Sequence, residues 1–322
     1  MLDTASYRTP LGAAYTGDSR TLLNQLEGES IDLIFTSPPF PLLRQKSYGN
    51  EDQEKYVDWL VDFGRASKRV LKSSGSFVVD LGGTYQRGVP VRSLYQYKAL
   101  LRFCEDLGYH LAEEFFWHNP AKLPSPIEWV NKRKIRAKDT VNTVWWLSKS
   151  EWPHADVREV LTEYSDRMRK LLANSAKFYT PKERPSGHDI SARFDIDNGG
   201  AIPSNLLVIP NTESNSQYLR FCKTVGVDGH PARFPVKLPE FFIRFLTRPN
   251  DLVVDIFAGS NATGEAAERL GRRWIAFEID PAYVATSVFR FSDSAEGAAM
   301  LYERVLRGDA VEVNNQCQPM LL

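Results

Sequence analysis

Cysteine is scarce in this 322-residue chain: Cys104, Cys222 and Cys317 are its only three, and none forms a CxxC pair. That scarcity disfavours a disulfide framework and a cysteine-based zinc site, and makes a reducing cytoplasm the default compartment. An excess of one charge is missing too, with 40 basic against 40 acidic side chains, so the total carries no nucleic-acid signal. No apolar run approaches the roughly 20 residues of a membrane helix, and residues 1–11 hold no apolar stretch of the kind a secretory signal needs. Repeats and low-complexity tracts are also lacking. What is present, 43% hydrophobic and 25% charged residues, is ordinary globular composition for one large domain or two modest ones.

The charges are unevenly placed. Residues 121–250 carry 21 basic and 14 acidic groups, whereas residues 1–120 carry 13 and 15, and residues 251–322 carry 6 and 11. A neutral protein with a basic middle can present a local polyanion-binding face. Chance clustering on a solvated surface explains the counts equally well.

The first third of the chain alternates strand and helix patterns. Strands are predicted at 31–35, 76–81, 110–117 and 141–148, and helices at 51–71 and 91–107, stopped by Gly75 and Gly108. Such alternation implies a parallel sheet covered on both faces. Residues 151–229 are dominated by polar and turn residues and read as an inserted region of loops and small elements. The α/β pattern then resumes, with a helix over 239–247, a strand over 251–257, a helix over 265–270, a strand over 273–278 and a last long helix opened by Pro281.

Two loops concentrate the chemistry. The first is Asp255-Ile256-Phe257-Ala258-Gly259-Ser260-Asn261-Ala262-Thr263-Gly264, between a buried strand and a helix. Glycine admits a ligand close to the backbone, and the helix start offers free N–H groups. Glu278 ends the next strand about 20 residues on, where a carboxylate can accept both hydroxyls of a ribose. The spacing is not that of a dinucleotide loop, so a nucleoside without phosphates is the expected ligand; a plain tight turn is the alternative. The second loop is Thr36-Ser37-Pro38-Pro39-Phe40, directly after the strand 31–35. Two prolines fix the direction of the Ser37 and Pro38 carbonyls, and neither can donate a hydrogen bond. Rigid acceptors beside the flat ring of Phe40 suit a planar base bearing an amino group. A proline-stiffened turn with Phe40 in the core fits the same residues.

Together, Ser37-Pro38-Pro39-Phe40 and the later Asp255-x-Phe257-x-Gly259-Ser260-x-x-Thr263-Gly264 resemble the amino-methyltransferases of DNA. The order, catalytic loop first and cofactor loop last, is similar to their permuted β class, and most similar to its cytosine-N4 branch. The resemblance runs from about Tyr15 to Phe291, and includes residues 123–134 and His230-Pro231-Ala232-Arg233-Phe234-Pro235. One departure stands out: most members have a second glycine where this chain has Asn261.

The resemblance implies an α/β class I methyltransferase fold, Rossmann-like and circularly permuted. Its mixed sheet would carry helices on both faces, with a smaller target-recognition region attached. Residues 1–149 would form the catalytic part, 150–229 the target-recognition region and 230–322 the cofactor-binding part. The implied cofactor is S-adenosyl-L-methionine. Asp255, Phe257 and Gly259, with Ser260 and Thr263 of the same loop, would hold its methionine half; Glu278 its ribose; Phe277 would pack near the adenine and Asp18 would accept from the adenine amino group; Phe234, Pro235 and Lys237 would flank the tail. Ser37, Pro38, Pro39 and Phe40 would hold the target base.

The implied reaction is methyl transfer to cytosine N4 in double-stranded DNA, with the base flipped out of the stack. That amino nitrogen is a weak nucleophile because its lone pair is delocalised into the ring, and acceptors on its two hydrogens can free it. The Ser37 hydroxyl and Pro38 carbonyl are the candidate acceptors. A cytosine-C5 enzyme would need a thiolate after a proline, and no cysteine here follows one. Lys132, Arg133, Lys134 and Arg136 are expected on phosphates, and Arg184, Ser186, His188 and Asp189 at the bases. The resemblance further implies a bacterial, cytoplasmic, nucleoid-associated modification enzyme. It would be paired in function with a restriction endonuclease, need no stable protein partner, membrane or metal, and act at the six-base palindrome CAGCTG. The rivals are an adenine-N6 enzyme on the same fold, which usually carries Asp or Asn where Ser37 stands, a DNA-binding module without catalysis, and an RNA or small-molecule methyltransferase.

Overall fold

The computed structural model describes residues 2, 4–41, 53–174, 196–212 and 216–313. The chain divides into two compact units, one of Met1–Ala155 with Asn205–Leu322 and one of Asp156–Ser204. Residues 205–229, expected in the inserted region, therefore belong with the larger unit.

The larger unit begins with β1 (Tyr7–Arg8), β2 (Gly12–Thr16) and α1 (Ser19–Gln25), which Asp18 caps by accepting from the Arg20 N–H. Next come β3 (Ile31–Thr36), α2 (Gln53–Val70), β4 (Leu71–Gly82), α3 (Tyr95–Glu105), β5 (His110–His118) and β6 (Val141–Ser148). Helix α3 starts later than the sequence suggests, because Arg92 is held in an isolated bridge to Tyr85 and an ion pair to Asp139 at 2.6 Å. The smaller unit holds α4 (Asp166–Ala173), capped by Ser165. Within it Thr162 bridges Ala201, and the Tyr164 hydroxyl donates to Asp197 at 3.0 Å.

The larger unit continues with β7 (Leu206–Val208), α5 (Gln217–Val225), α6 (Lys237–Leu246), β8 (Leu252–Asp255), α7 (Ala262–Arg269), β9 (Arg273–Glu278), α8 (Pro281–Ser287), α9 (Ala295–Leu306) and β10 (Val311–Glu312). Pro281 does open α8, but that helix is short. It tightens into a single turn over Val288–Phe291, and Ser294 then caps a separate α9.

Ten described strands form one sheet in the order β10-β1-β2-β9-β8-β3-β4-β6-β5-β7. Strands β2, β9, β8, β3 and β4 are mutually parallel, whereas β6 runs antiparallel to both β4 and β5. The alternation rule alone gives a parallel sheet; β6 breaks it because it follows β5 through a turn-rich connection rather than a helix, and antiparallel neighbours need no crossover.

Both faces of the sheet are buried. Ile34, Phe77 and Val79 pack with Tyr56, Leu60 and Phe103 of α2 and α3. On the opposite face Phe35 meets Phe242 of α6, ring centroids 5.5 Å apart. The adjacent Trp145 and Trp146 divide between the faces, as strand residues must: Trp145 joins the α2–α3 core and Trp146 packs on Phe245.

Arg290 clamps the loop before α7. Its Nε donates to the Ser260 carbonyl at 2.5 Å, Nη2 to the Ser260 hydroxyl at 2.8 Å and Nη1 to Glu265 at 2.5 Å, with the guanidinium over the Tyr218 ring. Glu265 keeps a second partner in Arg269 at 2.7 Å, so removing Arg290 mainly leaves the Ser260 carbonyl and hydroxyl without their donor. Arg290→Met is expected to cost about 1.5–3 kcal/mol, read as a lower urea midpoint at unchanged slope. A loss below about 1 kcal/mol would mean that the pair does not hold the loop.

Candidate active site

The carboxyl ends of the parallel strands converge on one edge of the sheet. Asp18 follows β2, Glu278 ends β9, Asp255 ends β8, Ser37 follows β3 and Gly82 ends β4. Because β6 is reversed, its first residues reach the same edge, where Asn142 pairs with Gly82. In open α/β sheets this is the edge that binds ligands, at the point where the strand order reverses. Here the reversal falls between β8 and β3, and a cavity of about 710 Å³ opens there.

Asp255 binds the two key loops together. Its Oδ1 accepts from the Thr36 hydroxyl at 2.8 Å and the Phe257 N–H at 3.1 Å, and its Oδ2 from the Thr263 hydroxyl at 2.6 Å. The carboxylate is fully buried, and desolvation pushes its pKa up to about 6 against those three bonds. It does not line the cavity, so it positions the loops rather than touching a ligand. Thr263 is likewise committed to Asp255.

Gly259 and Ser260 line the cavity, as do Phe257 and Glu278. Gly259 has a φ of +50°, and a Cβ there would lie 3.1 Å from the His230 ring, so a side chain would be both strained and crowded. Asn261 is left-handed as well, at φ 58°, a region that asparagine enters more readily than most residues. It serves as the cap of α7: Oδ1 accepts from the Gly264 N–H at 3.0 Å and Nδ2 donates to the Tyr7 hydroxyl at 2.9 Å. Asparagine in place of the usual glycine is thus accounted for by capping.

Glu278 accepts from the N–H groups of Gly259, at 2.8 Å, and Asp280, at 3.0 Å; burial raises its pKa. Phe257 forms an apolar wall with Trp59 and Phe63, ring centroids 5.4 and 4.7 Å away. Asp18 and Phe234 also reach the cavity. The Asp18 carboxylate is already engaged with Arg20, whose bonds hold its pKa low.

Other expected residues are not brought to the cavity. Phe277 is completely buried on the core face with its ring against Tyr15, because alternate residues of β9 face opposite sides; Ile279, just past the strand, lines the cavity instead. Pro235 and Lys237 do not line it either; Lys237 is the first residue of α6 and Pro235 lies just before its cap, Val236.

At the other end lie Ser37, Pro38, Pro39 and Phe40. The Phe40 ring rests on Gly82, where an added Cβ would collide with it. Nothing in the local sequence pattern singles out what backs this loop. The Ser37 hydroxyl donates to Asp80 Oδ2 at 2.9 Å, and Asn142 Nδ2 donates to both Asp80 oxygens at 3.0 and 3.3 Å. Desolvation pushes Asp80 up to about 6, while the Asn142 and Ser37 bonds and the charge of Lys122 pull the other way. Asn119, Lys122, Asn211, His230 and Arg233 complete this end. Burial lowers the pKa of His230 to about 4, so its ring is neutral near pH 7. Among the described residues no group of His, Cys, Asp and Glu could hold a metal.

The basic cluster is exposed. Lys132 and Arg133 both pair with Glu128, at 3.3 and 3.0 Å, and Arg136 donates to the Pro90 carbonyl at 2.7 Å. Lys134 stands exposed at a left-handed φ of 55°. Arg184, Ser186, His188 and Asp189 lie outside the described residues. No helix among the described residues is long and apolar enough to cross a membrane.

Comparison with known proteins agrees with this geometry. Residues 31–289 match the family model for DNA methylases. The chain is 58% identical over 313 residues to the type II methyltransferase M.PvuII of Proteus hauseri, covering 96% of this chain and 93% of that protein. It is 24% identical over 288 residues to the DNA adenine methyltransferase YhdJ of Escherichia coli K12, covering 88% and 83%. Among solved structures, the cytosine-N4-specific PvuII DNA methyltransferase superposes with a TM-score of 0.80 at 50% identity, over 97% of this chain and 99% of that one. A putative DNA modification methylase from Thermus thermophilus, solved with S-adenosyl-L-methionine, shares the fold at a TM-score of 0.52 and 21% identity, over 94% and 99%. On the family match and the extent of the 58% identity, the chain belongs to the DNA methylases.

Proposed function

We propose that this chain is a site-specific DNA methyltransferase that transfers a methyl group from S-adenosyl-L-methionine to cytosine N4 in duplex DNA. The observation that carries this reading is one cavity with two chemistries: a glycine-backed acidic end at β8 and β9, and an acceptor-lined end where Ser37 bonds Asp80 at 2.9 Å. The 58% identity to M.PvuII favours cytosine N4 over adenine N6 as the target, since the solved PvuII enzyme is named as cytosine-N4-specific. An intact Gly259 loop and a Ser37–Asp80 pair argue against a DNA-binding module that has lost catalysis.

The residues at the acidic end fit the cofactor. Glu278 keeps free lone pairs beside its two backbone bonds and can accept from ribose hydroxyls. Gly259 has space filled by His230 where a side chain would be, so its backbone stays open to a ligand. Phe257 and Ile279 supply apolar surface for the methionine stem and the adenine, the second taking the place foreseen for Phe277. When bound, S-adenosyl-L-methionine supplies a methyl group made electrophilic by its sulfonium.

At the other end Phe40 can stack on the flipped base, and the Pro38 carbonyl and Ser37 oxygen can accept its amino hydrogens. The Ser37 proton points to Asp80, which turns the serine lone pairs away from that carboxylate. As N4 gains its methyl group it must lose a proton; Ser37 can take that proton while passing its own to Asp80. This relay needs Asp80 ionised. In the same reading the enzyme works in the bacterial cytoplasm on CAGCTG sites, as the modification partner of a restriction endonuclease. Residues 150–229 would contribute target recognition, and Lys132, Arg133, Lys134 and Arg136 would contact phosphates.

The relay predicts a pH dependence. Single-turnover methylation should rise with pH through about 6, because below that value Asp80 holds a proton and cannot accept another. Asp80→Asn should remove the step and slow transfer by about 100-fold or more, the scale of positioned acid–base groups. A variant with an unchanged rate and pH profile would exclude the relay. At the cofactor end, Glu278→Ala should weaken S-adenosyl-L-methionine by about 1.5–3 kcal/mol; calorimetry on folded protein giving wild-type affinity would remove Glu278 from the ribose site. Replacing Lys132, Arg133 and Lys134 together should weaken all duplexes alike and flatten the salt dependence. Because Glu128 already pairs with two of them, the slope should change by fewer than three charges; a wild-type slope would place the cluster off the DNA.

A further inference from the structure

The base end of the cavity contains acceptors for an amino group, but also donors that have no acceptor among the described residues. Lys122 lines the cavity close enough to Asp80 for its charge to act there, and its ammonium has no hydrogen-bond or ion-pair partner among the described residues. Asn119 is more sharply defined. Its Oδ1 accepts from the N–H groups of Ala121, at 3.1 Å, and Asn211, at 3.0 Å, which fixes the amide orientation. The Nδ2 group, with two hydrogens, is then left without an acceptor among the described residues. The neighbouring amides are already used: Asn142 donates to Asp80, and Asn211 donates to the Arg233 carbonyl at 2.7 Å.

From this arrangement we infer that Lys122 and Asn119 are specificity-determining residues, two donors that read the two ring acceptors of a flipped cytosine, N3 and O2. The inference rests on the methyl-transfer reading above and supplies what the choice of Ser37 alone does not, a physical reason for cytosine over adenine. Both bases present an amino group to the Ser37–Pro38 acceptors. Beyond it, cytosine offers two acceptors, whereas adenine offers only N1 followed by a C–H. Reading a flipped base along that edge is how such pockets select it. Adenine would leave one donor desolvated and unpaired, and sites built to hydrogen-bond a group reject analogues lacking it far more strongly than apolar pockets do.

The test uses full-length enzyme, S-adenosyl-L-methionine and three duplexes carrying cytosine, 2-thiocytosine or adenine at the target position, in single turnovers well above the titration of Asp80. Working there separates base reading from the electrostatic help that Lys122 gives Asp80. Lys122→Met is expected to lose about 10- to 100-fold on cytosine, the scale of a hydrogen bond to a charged donor, and to raise the adenine rate, because the donor that adenine leaves unpaired is gone, so that the preference for cytosine shrinks. 2-Thiocytosine, with a weaker acceptor, should slow the wild type but not the variant further. Asn119→Asp keeps both bonds to the Ala121 and Asn211 N–H groups while removing the donors, and should also lose cytosine activity while melting like the wild type. Equal losses on cytosine and adenine in Lys122→Met, or an unaltered ratio, would overturn the inference while leaving methyl transfer intact. A wild-type enzyme that modifies none of the three would overturn both.

Discussion

The Asp255 carboxylate is held out of water between three donors, and the arrangement of the site depends on it. Thr36 reaches it from the end of β3, the Phe257 N–H from the loop after β8 and Thr263 from the first turn of α7. Each donor belongs to a segment with a separate task. The residue after Thr36 begins the Ser37–Phe40 loop, and Phe257 and Thr263 bracket the glycine loop. One carboxylate thus sets the separation between the two ends of a cavity whose halves come from distant parts of the sequence. Burial opposes this: with a pKa near 6 in the fold against 3.8 in the open chain, the folded state binds more protons in that interval. The contribution to stability therefore falls as pH rises from about 4 to about 6, then stays level. Asp80 carries a similar cost from the same cause.

The two buried carboxylates differ in what they leave free. Asp255 is enclosed by protein donors and does not reach the cavity. Asp80 lines it, with Asn142 on both oxygens and Ser37 on one. A carboxylate steadied by an amide and joined to a serine hydroxyl is suited to receive a proton through that hydroxyl, and a pKa near 6 allows it to do so at neutral pH. Lys122 and Asn119 line the same cavity with donors. On the proposed reading, acceptors at Ser37 and Pro38 together with these donors would complement an aminopyrimidine edge.

Much of this was legible in the chain itself. Short apolar runs ending at Pro38 or at Asp255 mark buried strands whose carboxyl ends meet ligands, and glycine with a following Glu278 marks a nucleoside loop. What was not legible depends on pairing across the sheet. Asp80 sits in an apolar strand like any stray polar residue until β4 is laid beside β3 and β6. Asn142 gains meaning only through its register opposite Gly82. Phe277 was assigned to the adenine as a neighbour of Glu278, but within β9 neighbouring residues face opposite sides, so Phe277 turns into the core; Ile279, past the strand end, reaches the cavity instead. The reversal of β6 was hidden because the alternation rule assumes a crossover helix between successive strands, and the connection from β5 to β6 holds no α-helix. The separate helix α9 was hidden because the turn at Val288–Phe291 keeps the apolar pattern continuous.

Strand direction also bears on which segment meets the target base. β6 runs away from the cavity edge, and β7, parallel to β5, runs back toward it. The segment delivered directly to the cavity is the connection from β5 to β6, where Asn119, Lys122 and Thr140 line the wall and residues 132–136 carry the exposed basic cluster. A connection that places base donors and phosphate-seeking cations within some 20 residues, anchored at both ends by paired strands, can couple grip on the backbone to capture of the base. The net positive charge of the middle of the chain thus lies partly in the larger unit itself, on the same connection that brings Asn119 and Lys122 to the cavity.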